Sequence, residues 1–167
     1  MTSIRQDVIH FSVREFLKNA GWQLVAGQFP DGSDNELPPL NIVDPTLARD
    51  KSPDPRRHSM NKYVPDLVAC KEKTMLLIEM DSHYSPKDER KLNRLLLERR
   101  NDLLTALDDL VSKRGVVLPV PIGQIMFVPC LGFGPPMRYR RNPSFCYFKV
   151  SALSLVVFEG NEQIPFI

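Results

Sequence analysis

The stretch Lys62-Tyr-Val-Pro-Asp-Leu-Val-Ala-Cys-Lys-Glu-Lys-Thr-Met-Leu-Leu-Ile-Glu-Met-Asp81 decides the fold. It holds two apolar runs, residues 63–70 and 74–80, separated by the polar trio Lys71, Glu72 and Lys73. Two runs of strand length joined by a tight polar turn predict a β-hairpin. Three acids interrupt the pattern: Asp66 follows a proline in the first run, and Glu79 and Asp81 end the second. Side chains alternate along a strand, so Glu79 and Asp81 share a face, and Asp66 on the antiparallel neighbour converges on them. Carboxylates inside buried strands are costly unless they are paired or bind a cation. An all-oxygen ligand set favours Mg²⁺ or Mn²⁺ over zinc, and such a cation can activate water for in-line phosphoryl displacement. The blander alternative is a set of exposed strand-end acids, each paired with a nearby Lys or Arg.

Upstream, Ile9, Val13, Phe16, Leu17 and Ala20 recur at the spacing of one buried helical face, which predicts a helix over residues 4–20 stopped by Gly21. A strand is expected over 22–29. Residues 30–61 hold six of the 15 prolines, which disfavours regular structure and predicts a long Pro-rich loop. Arg56, Arg57 and His58 close that loop, as phosphate contacts or as an ordinary exposed segment. Downstream, Pro86 and the acids Asp88 and Glu89 suit a helix start. A long helix is expected over about residues 86–112, with Leu92, Leu96, Leu103, Leu107 and Leu110 on one face and Lys87, Arg90, Lys91 and Arg94 away from it. Arg99 and Arg100 lie nearer the stripe, to snorkel, pair with an acid or reach a phosphate. Next come a strand over 124–130, a turn over 131–136 and an exposed basic stretch with Arg138, Arg140 and Arg141. A strand is expected over 145–150, and 151–158 reads equally as strand or short helix. The order predicts an α/β domain with a mixed central sheet flanked by helices.

A chain of 167 residues with 43% hydrophobic and 25% charged residues fits one globular domain, here spanning 1–167. No apolar run reaches membrane-spanning length, and no basic segment followed by an apolar core opens the chain. Cys70, Cys130 and Cys146 each lie in an apolar run without C-x-x-C spacing, which predicts buried thiols in a reducing, cytoplasmic setting. The formal charge of +2 conceals an asymmetry. Residues 87–149 carry 12 Lys/Arg against 6 Asp/Glu, and the remainder carries 10 against 14. A basic region beside an acidic cluster suits a polyanion held near a cation, or simply a solvated helix face.

Pro65-Asp66, twelve intervening residues and then Glu79-Met80-Asp81 at a strand end resemble the PD-(D/E)XK nuclease superfamily, the restriction-endonuclease-like fold. The flanking order α-β-β-β-α-β matches that core over roughly residues 5–130, leaving 131–167 as C-terminal strands. The resemblance implies a metal-dependent nuclease hydrolysing DNA phosphodiester bonds, with DNA favoured over RNA and a homodimer or larger complex plausible for double-strand cutting. It implies Asp66 and Glu79 as metal-binding carboxylates, the Met80 carbonyl as a further ligand and Asp81 as an assisting acid. Asp81 stands where the superfamily usually has its lysine. That lysine is then replaced by Lys62, on the face of Asp66, or by Lys87 or Lys91 on the next helix; otherwise catalysis is lost and a module that binds nucleic acid or a partner protein remains. Glu15 matches the first-helix acid of the superfamily. His10, nearer the buried face, is a core-edge histidine, although some viral cap-snatching relatives ligate metal with a helical histidine. His83 lies two residues past Asp81. Arg56, Arg57, Lys91, Arg94, Arg138, Arg140 and Arg141 are the expected nucleic-acid contacts.

Overall fold

The computed structural model describes residues 3–42 and 63–167. The first helix, α1 (Gln6–Asn19), forms where the apolar spacing predicts it, with Ile9, Val13 and Leu17 buried. It ends at Gly21, whose φ of 84° is left-handed backbone that glycine adopts freely. Strand β1 (Gln23–Gly27) follows, shorter than the expected 22–29.

The hairpin is β2 (Leu67–Lys71) and β3 (Thr74–Met80), paired antiparallel from Leu67 opposite Ile78 to Lys71 opposite Thr74. Only Glu72 and Lys73 make the turn, and Glu72 takes a φ of 54°, as a two-residue hairpin loop requires. The predicted first run began at residue 63, whereas 63–66 stay outside the strand: Pro65 has no N–H to give a ladder.

The single long helix expected over 86–112 is two helices, α2 (Pro86–Leu97) and α3 (Arg100–Arg114). The N–H groups of Glu98 and Arg99 both donate to the Arg94 carbonyl, which closes the first helix and turns the chain. The turn lets Leu92 and Leu95 before it, and Leu103, Leu107 and Leu110 after it, enter one core. Gly115, at φ 70°, ends α3. Ile122–Gln124 form a 3-10 turn rather than the start of a strand. Strand β4 (Met126–Phe133) runs past Cys130, through the residues expected to turn. Gly132 permits this: a Cβ there would sit 3.0 Å from the Met80 side chain on β3. Strands β5 (Cys146–Ala152) and β6 (Leu155–Glu159) complete the chain, so 151–158 is a hairpin turn and strand.

The six strands form one mixed sheet in the order β1-β2-β3-β4-β5-β6. β3 and β4 are each parallel to their successors, and the other pairs are antiparallel. Alternation sorts the side chains into two layers. Met75, Leu77, Phe127, Leu131 and Tyr147 face α2 and α3, while Leu76, Ile78, Met80, Val128 and Phe148 face α1. Each such fully buried side chain contributes about 1.5–3 kcal/mol of apolar burial. All three cysteines are free and buried. Among the described residues no helix is long and apolar enough to cross a membrane.

Candidate active site

Asp66 and Glu79 occupy the rung where the β2–β3 ladder would continue beyond Leu67 and Ile78. Their side chains close it. The Asp66 N–H donates to Glu79 Oε2 at 3.0 Å, and the Met80 N–H donates to Asp66 Oδ2 at 2.8 Å. The Asp66 carbonyl accepts from the Gln28 N–H, tying this rung to the chain leaving β1. Glu79 is 1% exposed. Asp66 stands above its ordinary carboxylate pKa: burial raises it more than His10 and Lys91 lower it.

Two helices bring further groups to this rung. From α1, His10 is wholly buried, with Nε2 4.0 Å from Asp66 Oδ2. Neither ring nitrogen makes a well-formed hydrogen bond among the described residues, although the backbone of Gln28 and Met80 lies near the ring. Burial holds its pKa below the usual imidazole value, against the attraction of Asp66. One turn earlier, Gln6 Nε2 donates to the Met80 carbonyl at 3.0 Å. From α2, Lys91 pairs with Glu79 and donates to the Val64 carbonyl at 2.7 Å. Burial lowers its pKa to about 8, with Asp66 pulling the other way, so the ammonium still dominates at neutral pH. Asp88, in the first turn of α2, is raised to about 7 by burial and then by Asp66 and Asp81.

The expected residues thus divide. Asp66 and Glu79 meet. Asp81 is half-buried and turns its carboxylate to its own neighbour, accepting from the Ser82 N–H at 2.7 Å. The Met80 carbonyl faces the site but is held by Gln6. Glu15 is directed elsewhere: it accepts from Ser154 Oγ at 2.9 Å at the β5–β6 turn, because it lies on the opposite side of α1 from the Ile9–Val13 face. His10 is the residue α1 offers instead. Lys62, Arg56, Arg57 and His58 lie outside the described residues. Of the lysines on α2, Lys91 reaches the acids, while Lys87 stays exposed at the rim.

Tyr63, Lys87, Asp88, Arg90, Lys91 and Arg94 line a cleft of about 410 Å³ beside the acids. Burial and Glu89 raise the Tyr84 phenol's pKa, and Arg140 and Arg90 lie close enough to oppose them, on the α2 side. Arg138 is exposed. Arg141 is engaged away from the cleft, by Glu159 at 3.1 Å. Arg99 pairs with Asp102 at 3.7 Å, and Arg100 lies over the Phe127 ring at 5.2 Å.

Sequence reasoning assigned no site role to Asp88, and gave Lys91 only one of three chances to replace the missing lysine. Their signal was the three-residue spacing of an acid and a lysine on the helix after the acidic strand, one face of two successive turns. Among the described residues no three His, Cys, Asp or Glu side chains already form a metal cage. No protein-family model, curated protein or solved structure matches the chain, so its functional reading rests on this geometry.

Proposed function

We propose that the chain is a metal-dependent nuclease of the restriction-endonuclease-like fold, an endonuclease that hydrolyses DNA phosphodiester bonds. One observation carries the reading. His10 is fully buried with neither ring nitrogen in a well-formed hydrogen bond, and it faces the partly buried Asp66 beside buried Glu79, whose partner Lys91 lines a basic cleft. A native core rarely leaves such a group unsatisfied without a ligand to complete it. Asp66, Glu79, His10 Nε2 and the Met80 carbonyl are the donors that would hold Mg²⁺ or Mn²⁺, and an imidazole among them tips the preference towards Mn²⁺. Such a cation would supply a Lewis acid for water activation and positive charge opposite the phosphate.

The remaining chemistry belongs to side chains. Lys91 holds its ammonium at Glu79 and takes the part that Asp81 cannot. To free the ligands, Lys91 yields Glu79 to swing towards the phosphate, and Gln6 releases the Met80 carbonyl. Asp88, near pKa 7, is placed to accept or return a proton at neutral pH. Lys87, Arg90 and Arg94 hold the DNA backbone in the cleft, giving binding that weakens with salt.

Cleavage of plasmid and linear DNA with Mg²⁺ or Mn²⁺ tests this. Asp66→Ala and Glu79→Ala are each expected to lower the rate by about 10²–10³-fold; activity unchanged in both sinks the assignment. A second reading, a catalytically silent module of the same fold that binds nucleic acid or a partner protein, is favoured by Asp81 at the lysine position and by the closed Glu79–Lys91 pair. Salt-dependent DNA binding with no calorimetric uptake of Mn²⁺ and no cleavage would select it.

A further inference from the structure

A row of aromatic rings on the α2 and α3 side of the sheet leads to the candidate active site. Tyr147, on β5, and Phe133, at the end of β4, are buried. Tyr139 packs on both, with ring centroids 4.8 and 5.0 Å away, and its hydroxyl donates to Glu159. Tyr84 closes the row, edge-on to Phe133 at 6.0 Å and 6.2 Å from Tyr139. Unlike Phe133 and Tyr147, Tyr84 is only half-buried, and its hydroxyl has no hydrogen-bond partner among the described residues. The sheet fixes its place. The Asp81 N–H donates to the Gly132 carbonyl and the Gly134 N–H to the Ser82 carbonyl, which carries β3 and β4 side by side past Met80. Tyr84 follows two residues later, at the same end of the sheet as Glu79. The start of α2 serves both places: Asp88 is acted on by Asp66 and Asp81, while Glu89 and Arg90 act on Tyr84. Arg140, next to Tyr139, acts on Tyr84 as well, and Arg90 also lines the cleft. With Lys87 and Arg94 in that cleft, the basic groups here outnumber the acids Asp88 and Glu89.

We infer that Tyr84 is a stacking platform for an unpaired nucleobase, and that the substrate is therefore single-stranded DNA, its backbone held by Arg90 and Arg140. The inference rests on the nuclease reading for the identity of its ligand and narrows the substrate of that site. A base inside a duplex is covered by its neighbours and offers no face to a side chain, whereas any unpaired base stacks on an aromatic ring. Phe133 and Tyr139 hold the Tyr84 ring from behind, which lowers the ordering cost of that contact. The arginines meet phosphates and leave sequence unread.

Fluorescence anisotropy of the full chain without divalent cation, on a short thymidine oligonucleotide and on a duplex of equal length, tests it. The single strand is expected to bind about tenfold more tightly. Tyr84→Leu keeps apolar packing but removes the ring, and is expected to weaken single-strand binding by about tenfold while leaving duplex binding unchanged. Tyr84→Phe is expected to bind as the wild type does. Each variant is checked for an intact thermal transition, and a single strand carrying a fluorescent purine analogue reads stacking in the wild type directly, as quenching on binding. A duplex bound as tightly as the single strand overturns the inference, as does Tyr84→Leu binding both as the wild type does, or an analogue left unquenched. Cleavage separates the two readings. Asp66-dependent cutting of duplex and single strand at equal rates keeps the nuclease and overturns the platform. Tyr84-dependent binding of the single strand by a protein that cuts nothing keeps the platform and removes the nuclease.

Discussion

Helix α1 carries two buried basic side chains one turn apart, and the protein treats them in opposite ways. Arg14 lies over the Phe29 ring at 4.1 Å and gives Nη2 to Asp34. Asp34 also accepts the N–H groups of Glu36 and Leu37 at 2.8 and 2.9 Å. His10, whose ring centroid lies 6.0 Å from that of Phe29, stands 4.0 Å from Asp66 without a hydrogen bond. Burial pushes both aspartates upward. At Asp34 the Arg14 contact and two backbone donors outweigh burial, and its pKa ends below the ordinary value. At Asp66 they do not, and its pKa ends above it. A structural ion pair and an unfinished site are therefore built from the same residue types on the same helix. What separates them is whether the basic side chain and its aspartate are hydrogen-bonded to each other: Arg14 donates Nη2 to Asp34, although its Nε has no partner, whereas His10 makes no such bond to Asp66.

The largest effect is expected from breaking the finished pair. Asp34→Ala leaves Arg14 buried without its carboxylate and should cost about 3–5 kcal/mol in denaturant unfolding. Asp66→Asn, the matching change at His10, should leave stability unchanged or raise it by about 1 kcal/mol, because it removes a charge that burial disfavours. Equal losses would abolish the distinction. A pH series checks the same point. Asp34, with its lowered folded pKa, contributes stability that is present above its unfolded value near 3.9 and lost as pH falls through the folded value.

Gly27 joins the two regions. A Cβ there would stand 2.8 Å from Arg14 Nη2 and 3.3 Å from the Asp66 carbonyl oxygen. Gly27→Ala should cost about 1–3 kcal/mol by overpacking, and should also weaken Mn²⁺ uptake measured by calorimetry. Loss of stability with unchanged uptake would show that the two clusters are uncoupled.

A pH-dependent effect is expected at Asp88. Its folded pKa of about 7 exceeds the unfolded value, so the native state holds its proton more tightly. Stability therefore falls as pH rises from about 4 towards 7. Asp88→Asn should raise the melting temperature at pH 8 and leave it unchanged at pH 4. A gain at both pH values would remove the electrostatic explanation.

The hairpin was legible because its signals are local. Apolar runs, a two-residue turn and acids at the ends of the runs all lie within twenty consecutive residues. The α1 wheel likewise placed His10 on the inner side and Glu15 opposite, and the structure follows the wheel where the family pattern favours the glutamate. Less could be read where packing between elements decides. The apolar stripe of 86–112 looks continuous, yet the chain turns at Glu98 and Arg99. Lys91 reaches Glu79 only because α2 packs against β3 and β4, a registration no single segment encodes. The extension of β4 through Gly132 depends on Met80, about fifty residues away in sequence.

Two amide protons give the site its own gauge. The last rung of the hairpin is closed by carboxylates bonded to the N–H groups of Asp66 and Met80, rather than by backbone carbonyls. Whatever draws those carboxylates away, a cation or a proton, shortens the ladder by one rung. Occupancy of the site is thereby written into the length of the hairpin, and the exchange rates of two backbone amides report it with no substrate present.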